Sequence, residues 1–296
     1  MGYVDQLLRY DGRRVVVTGC SSGIGAQVAR QTAELGAEVI GLDISAPNPS
    51  GPNSFGSDYL ISEFHQVDLA DRESVDCTVA ALGGGAVDAL FNVAGVSSGI
   101  GNSLLVVMIN FLGMRHLTES LVGRMPSGSS VTCVSSMAAS GYRDNRETVA
   151  ELLATTSMEA GVQWCRDHPD AHANGGYTLS KEAIIHYCIQ NSEQLGAQGI
   201  RINCTAPGVT ETPILDQLRT AYGPEYLDGI PKPLGRVSNP QEQAAILVFL
   251  GSDAASYVSG QVVWGDGGIV NSNEMRDPVA TSGAADNRAQ QVTQGN

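Results

Sequence analysis

The chain has 296 residues, of which 42% are hydrophobic and 16% charged, enough apolar material for a folded core. Lys and Arg number 17 against 31 Asp and Glu, a formal charge of −14, which excludes nonspecific nucleic-acid binding and adhesion to anionic membranes. No apolar run approaches the ~18–20 residues of a membrane span. The opening MGYVDQLLRYDGRR has no apolar secretion core, so a cytoplasmic location is expected. Six cysteines (Cys20, Cys77, Cys133, Cys165, Cys188 and Cys204) include no CxxC pair and read as reduced thiols.

Val15-Val16-Val17 reads as a short buried strand. Residues 24–35 follow at helical spacing, with Gly36 placed to end that helix. Val39-Ile40-Gly41-Leu42 is the second strand, and 44–62, with three prolines, is a loop. Residues 64–68 and 87–93 are strands three and four. A long helical pattern covers 103–125, and 130–134 is strand five. Residues 140–176 form an insertion whose first part is helical until Pro169 breaks it. Residues 178–195 are helical, 200–205 are strand six, 240–250 are helical and 261–264 are the last strand.

Between them, 209–237 read as a substrate lid, broken by Pro213, Pro224, Pro231 and Pro233. Ile214, Leu215, Leu218, Tyr222, Tyr226 and Leu227 give the lid apolar surface; simple packing on the domain is the other reading. Residues 272–296 are small, polar and aperiodic, and are expected to be disordered. The alternation predicts an α/β fold: a Rossmann-type doubly wound parallel sheet of about seven strands with helices on both faces. Residues 1–271 form one domain in this reading.

The first strand runs into Thr18-Gly19-Cys20-Ser21-Ser22-Gly23-Ile24-Gly25, and a helix follows at once. A glycine-rich turn in that setting lets backbone N–H groups approach a diphosphate. Asp43 ends strand two, eighteen residues after Gly25, where a carboxylate accepts both ribose hydroxyls of an adenosine. It repels a 2′-phosphate, so NAD is favoured over NADP. A strand-end aspartate also caps turns. Asp68 ends strand three, placed either to meet an adenine or to serve as a loop carboxylate. Tyr177 and Lys181 are four apart and share a helix face. An ammonium beside a phenol lowers its pKa and suits it to proton transfer; a solvent-facing pair is the plain alternative. Cys165, His168 and His172 have a ligand-like spacing, but Pro169 interrupts any helix that would align them and no fourth ligand is evident, so no metal is expected.

The glycine loop, Asp43, FNVAG (91–95), Ser135-Ser136, YTLSK (177–181) and APGVTETP (206–213) stand in one order that resembles the short-chain dehydrogenase/reductase family, over about residues 12–270. The resemblance implies a catalytic set of Ser136, Tyr177, Lys181 and Asn110. Ser136 would hold the substrate oxygen, and Tyr177 would exchange its proton. Lys181 would bind the nicotinamide ribose and tune the phenol, and Asn110 would support a water linking Lys181 to solvent. Asn110 and Asn92 each also read as buried amides that satisfy backbone groups. The resemblance further implies NAD held by Gly19, Ser21, Ser22, Gly23, Ile24, Gly25, Asp43, Asp68, Leu69, Asn92, Ala94, Gly95, Tyr177, Lys181, Pro207, Gly208, Thr210 and Thr212.

The stretch between Gly95 and Asn110 is short for the family, and that between Ser136 and Tyr177 is long. Both features are similar to the insertion-bearing subgroup of bacterial coniferyl-alcohol and 3α-hydroxysteroid dehydrogenases. The implied substrate is an apolar, ring-bearing alcohol: an aryl allylic alcohol such as coniferyl alcohol, or a 3α-hydroxysteroid. The implied assembly is a homo-oligomer, dimer or tetramer, with the insertion covering a helix face that relatives pair across a dimer. A catalytically silent NAD-binding regulator is the rival reading. A sugar-nucleotide epimerase is a second, disfavoured by the short stretch after Gly268.

Overall fold

The computed structural model describes residues 2–47, 60–223, 225 and 229–276. Its seven strands form one parallel sheet: β1 (Arg14–Thr18), β2 (Glu38–Asp43), β3 (Glu63–Gln66), β4 (Ala89–Asn92), β5 (Ser130–Val134), β6 (Arg201–Pro207) and β7 (Val262–Gly265). The order is β3-β2-β1-β4-β5-β6-β7, as the doubly wound reading requires. β1 shows why its valines run unbroken. Val16 packs into the core on one face, Val15 and Val17 into the core on the other, and all three are fully buried. The order reverses between β1 and β4, and the carboxyl ends of these strands open the crevice where ligands bind in such sheets.

The helices in chain order are α1 (Tyr3–Leu7), α2 (Gly23–Glu34), α3 (Arg72–Ala81), α4 (Ser103–Val107), α5 (Met114–Val122), α6 (Arg146–Leu153), α7 (Met158–Asp167), α8 (Tyr177–Gly196), α9 (Pro213–Tyr222), α10 (Pro240–Gly251) and α11 (Ile269–Arg276). Neither α1 nor α3 stands out in the sequence. α1 buries no residue, and α3 buries only Val75 and Thr78, so both have weak apolar stripes. Asp71 caps α3 by accepting from the Glu73 N–H at 3.0 Å.

The helical pattern over 103–125 is α4 and α5 joined through a π turn, Met108–Gly113. Ser103–Val122 is long and apolar enough to cross a membrane, with mean hydropathy 1.2, which corrects the expectation that no such run exists. Its polar residues, Asn110 and Arg115 among them, hide the run in the sequence. Both are buried, and 61% of the apolar window is buried, so the run is a core helix of the sheet's packing.

The insertion is two helices rather than one. α6 ends at Leu153 and Ser157 caps α7, its side chain accepting from the Ala160 N–H at 3.1 Å. Pro169 then opens a 3-10 turn, Pro169–His172. Buried Arg115 of α5 ties the link between α6 and α7 down, donating to Thr155 Oγ1 at 3.1 Å and the Ser157 carbonyl at 3.2 Å. α6 packs along α8. In the lid, Pro213 starts α9 instead of breaking the segment, because its missing N–H costs nothing at a first helical position. Pro224, Tyr226 and Leu227 lie outside the described residues. The expected aperiodic segment from 272 is corrected in part: α11 continues to Arg276, its start fixed by Asp266, which accepts from the Gly268 and Val270 N–H groups. Residues 277–296 lie outside the described residues.

Candidate active site

The crevice begins at the β1–α2 turn. Gly19 has φ +70°, and a Cβ there would lie 2.8 Å from the Ala94 Cα, so only glycine lets this turn sit against the FNVAG segment. Thr18 locks the same junction, its hydroxyl oxygen accepting from the Val93 and Ala94 N–H groups at 2.9 and 3.0 Å. Ser22 opens α2 but makes no side-chain cap, so the helix's first turn faces the crevice without a side-chain oxygen on it. That end, with Gly23 at φ +53° and Ile24 and Gly25 next in line, is a cradle that fits a diphosphate. Thr212 closes the cradle from the far side: its Cγ2 would be 3.4 Å from a Cβ on Gly23.

Asp43 ends β2, partly exposed, beside this turn. Its carboxylate accepts from Ser21 N–H at 3.0 Å and from Ser45 N–H at 3.2 Å, while Ser21 Oγ donates to the Ser45 carbonyl at 2.6 Å. Asp43 thus organises the turn between β1 and α2, as a strand-end aspartate can. Asp68 follows β3 at the same edge of the sheet and caps its own turn, accepting from Ala70 N–H at 2.8 Å. Leu69 is buried, and its carbonyl is pressed on Gly113, where a Cβ would lie 1.8 Å away.

Asn92 is buried and donates through Nδ2 to Thr118 Oγ1 at 2.9 Å, while its side-chain oxygen Oδ1 has no hydrogen-bond partner among the described residues. Asn110 lies in the π turn, a break in helical register common at functional positions. Its amide takes both polar groups of Val96: the Val96 N–H donates to Oδ1 at 2.8 Å, and Nδ2 donates to the Val96 carbonyl at 3.0 Å. Nδ2 also donates to Ser180 Oγ at 3.2 Å, and Ser180 Oγ donates to the Tyr177 carbonyl at 2.7 Å. Asn110 therefore binds the Gly95–Val96 turn directly to the Tyr177 helix. Gly95 leaves the space: a Cβ on it would lie 3.1 Å from Asn110 Oδ1 and 3.5 Å from Lys181 Nζ.

Tyr177 is the first residue of α8, held there by Gly176 at φ +72°. Lys181, one turn on, is buried, and its Nζ sits 5.6 Å from the centre of the Tyr177 ring. Nζ donates to the Val134 carbonyl at 2.8 Å. Burial pushes the ammonium's pKa down from 10.5 to about 8, an effect that negative charge on the nearby Cys133 sulfur opposes. Ser136 stands just past β5 and is nearly buried; its Oγ accepts from Ala138 N–H at 3.2 Å. Ser135 Oγ donates to the Lys181 carbonyl at 2.7 Å, fastening α8 to the end of β5. Pro207 and Gly208 close β6, and Gly208 packs so tightly on Asp266 that a Cβ would lie 2.8 Å from its Cα. Thr210 holds the next turn through Ser238 at 2.8 Å.

The fold thus gathers Ser136, Tyr177, Lys181, Asn110 and Gly95 at one end of the sheet, with the α2 cradle beside them. Sequence reading missed Thr18, Ser135, Ser180 and the Val134 carbonyl, which hold this set in place. Thr18, Ser135 and Ser180 each adjoin a residue assigned a role, whereas Val134 lies two positions before Ser136 and carries no signal of its own. The Cys165, His168 and His172 side chains do not converge. His168 stacks on Trp164 at 4.6 Å, whereas His172 joins Ser103 Oγ to the Cys165 carbonyl, each at 2.8 Å. The six cysteines form no disulfide among the described residues.

A family model described as enoyl-(acyl carrier protein) reductase matches residues 19–270. Coniferyl-alcohol dehydrogenase of Pseudomonas sp. (strain HR199 / DSM 7063) is 31% identical over 265 residues, 89% of this chain and 99% of that protein. The 3-alpha-hydroxysteroid dehydrogenase/carbonyl reductase of Comamonas testosteroni is 29% identical, covering 86% of this chain and 95% of that protein. Among solved structures, the 3-alpha-hydroxysteroid dehydrogenase of Pseudomonas sp. B-0831 complexed with NADH superposes with a TM-score of 0.73 at 28% identity, covering 89% of this chain and 99% of that one. With the ordered motifs and this topology, these likenesses establish that the chain belongs to the short-chain dehydrogenase/reductase family, NAD(P)-dependent oxidoreductases acting on alcohols.

Proposed function

We propose that the protein interconverts an alcohol and its carbonyl compound with NAD rather than NADP, and that the alcohol is apolar and ring-bearing. The observation that carries the chemistry is a chain of contacts: Lys181 stands by the Tyr177 ring and is held by the Val134 carbonyl two residues before Ser136, and Asn110 reaches the Tyr177 carbonyl through Ser180. When bound, the nicotinamide dinucleotide supplies the hydride acceptor or donor. Gly19, Ser21, Ser22, Gly23, Ile24 and Gly25 would hold its diphosphate, and Asp43 its adenosine ribose. Asp68, Leu69, Asn92, Ala94 and Gly95 would flank the adenosine side, and Pro207, Gly208, Thr210 and Thr212 the nicotinamide side.

Tyr177 takes the hydroxyl proton as an alcohol is oxidised and returns it on reduction. Ser136 donates a hydrogen bond to the same oxygen as charge gathers there. Lys181 holds a positive charge near the phenol ring and favours its ionised form. Asn110 ties the Gly95–Val96 turn to the first turn of α8, and so holds the proton donor in place. The rival reading, a silent regulator, has no use for this full set.

NAD preference rests on Asp43, which meets a ribose as an acceptor and a 2′-phosphate as a like charge. The ring-bearing alcohol rests on the named activities of the two relatives and on the apolar residues Ile214 and Leu218 of the lid segment, whereas Leu215 packs into the fold. We further infer a homo-oligomer in which α6, packed along α8, covers part of that helix and so alters the pairing across it. NADH formation from coniferyl and cinnamyl alcohols or 3α-hydroxysteroids tests the substrate class. Turnover of neither group, with NAD bound, removes it. A solution mass near that of a tetramer, with α8 buried between protomers, removes the assembly reading.

A further inference from the structure

The turn Ser98–Ile100, just after the Gly95 segment, touches two elements that the chemistry needs. On one side is the lid helix. Tyr222 donates its hydroxyl to Ser98 Oγ at 2.9 Å, and buried Ser97 donates to Gln217 Oε1 at 3.1 Å. Gly99 leaves room for that helix: a Cβ there would lie 3.3 Å from the Ala221 Cβ. On the other side is the two-glycine turn that starts the Tyr177 helix. A Cβ on Gly175 would lie 2.6 Å from the Ser98 Cβ, and one on Gly176 would lie 2.2 Å from the Ser103 carbonyl oxygen. Both glycines have positive φ, +84° and +72°, so their backbone is moulded to this surface and no other residue fits. His172 completes the junction, meeting Ser103 Oγ through Nδ1 at 2.8 Å.

We propose that Ser98 is a positioning residue: by gripping the lid through Tyr222 and packing on Gly175, it makes lid closure and the placement of the Tyr177 phenol a single event. This rests on the reading of Tyr177 as the proton-transfer group. The materials suit the task. Tyr222 is 48% exposed, so its hydrogen bond competes with water and can open for substrate entry. Gly175 leaves no room for even a Cβ beside the Ser98 Cβ, an atom that no rotamer change moves, so a shift of Ser98 passes to the start of α8. Displacement of a reacting group by a fraction of an ångström is costly, whereas a lid that only covers the cleft would alter substrate affinity alone.

The test uses the full chain and the variants Tyr222→Phe and Ser98→Ala, with two readouts. The first is the single-turnover rate of NADH appearance at saturating alcohol, beside NAD affinity by calorimetry. We expect the rate to fall about tenfold in both variants, with NAD affinity unchanged. An unchanged rate with only a raised KM overturns the proposal. The second is hydrogen exchange measured by mass spectrometry, which needs no substrate. We expect exchange in Tyr222→Phe to quicken both in 213–222 and in 172–180. Quickening confined to 213–222 overturns the coupling even if the protein proves to oxidise no alcohol, so failure of the chemistry and failure of the coupling are told apart.

Discussion

Lys181 Nζ donates a 2.8 Å hydrogen bond to the carbonyl of Val134, the last residue of β5 and two positions before Ser136. The strand that delivers Ser136 therefore also anchors the ammonium that stands by the Tyr177 ring. One end of the sheet, the carboxyl end of β5, sets the spacing of all three groups. Relaxing any of them means moving β5 or α8 through a packed core.

This anchor places a buried ammonium where it harms the fold. Burial lowers the Lys181 pKa from 10.5 to about 8. A depressed value means the folded state disfavours the charged form, a penalty present in full below about pH 8 and gone above about 10.5. At about 1.4 kcal/mol per pH unit the penalty is about 3 kcal/mol, less about 1 kcal/mol for the Val134 bond. Lys181→Met is expected to be more stable than the wild type at pH 7 by about 2 kcal/mol while losing activity. The gap should close as pH rises from 8 to 10.5. Urea denaturation of both proteins at pH 7 and pH 10 measures this. A less stable variant at pH 7 would contradict it.

Asn110 carries a different balance. Its amide satisfies both polar groups of Val96 and reaches Ser180 under the Tyr177 helix. Asn110→Ala should cost about 1–3 kcal/mol in stability, because the Val96 groups lose their partners in a partly buried turn. It should also lower turnover more than it weakens NAD binding. Thermal unfolding and calorimetry beside kcat separate the two effects. Loss of stability with kcat intact would reduce Asn110 to a structural amide.

Much of this arrangement is legible in the residues. The unbroken valines of β1 announce a strand buried on both faces. The step from Val17 through Gly19 to Ile24 marks the turn that opens the crevice. The spacing of Tyr177 and Lys181 puts them on one helix face, and only the order of the motifs around YTLSK gives the pair a role. What escapes is whatever depends on contacts between distant segments. The π turn at Asn110 leaves no mark in the apolar pattern, because Asn110, Phe111, Leu112 and Gly113 stay buried while the register changes. α3 is missed because its apolar stripe is thin. Ser135 and Ser180 look like any serine until the fold brings their hydroxyls to the Lys181 and Tyr177 carbonyls. Pro213, read as a breaker, begins a helix, since proline's effect depends on its place in the first turn.

Asp43 serves the turn and, by proposal, the cofactor. Its carboxylate accepts from the Ser21 and Ser45 N–H groups, so Asp43→Ala removes a ribose acceptor and loosens the β1–α2 turn together. NAD affinity should fall by about tenfold or more, the usual worth of hydrogen bonds to a charged group. NADP affinity should fall less, because the same change removes a repulsion. The ratio of kcat/KM for the two cofactors should move toward NADP. An unchanged ratio would show that Asp43 only shapes the turn.

The most direct test of the account is NADH appearance followed by absorbance, with NAD and the alcohol panel, for the wild type and Tyr177→Phe. The account predicts turnover by the wild type and a loss of roughly a hundredfold or more in the variant, the usual reach of general acid–base catalysis, with NAD binding retained by calorimetry. Turnover by Tyr177→Phe at the wild-type rate, or a wild type that binds no NAD, would contradict it.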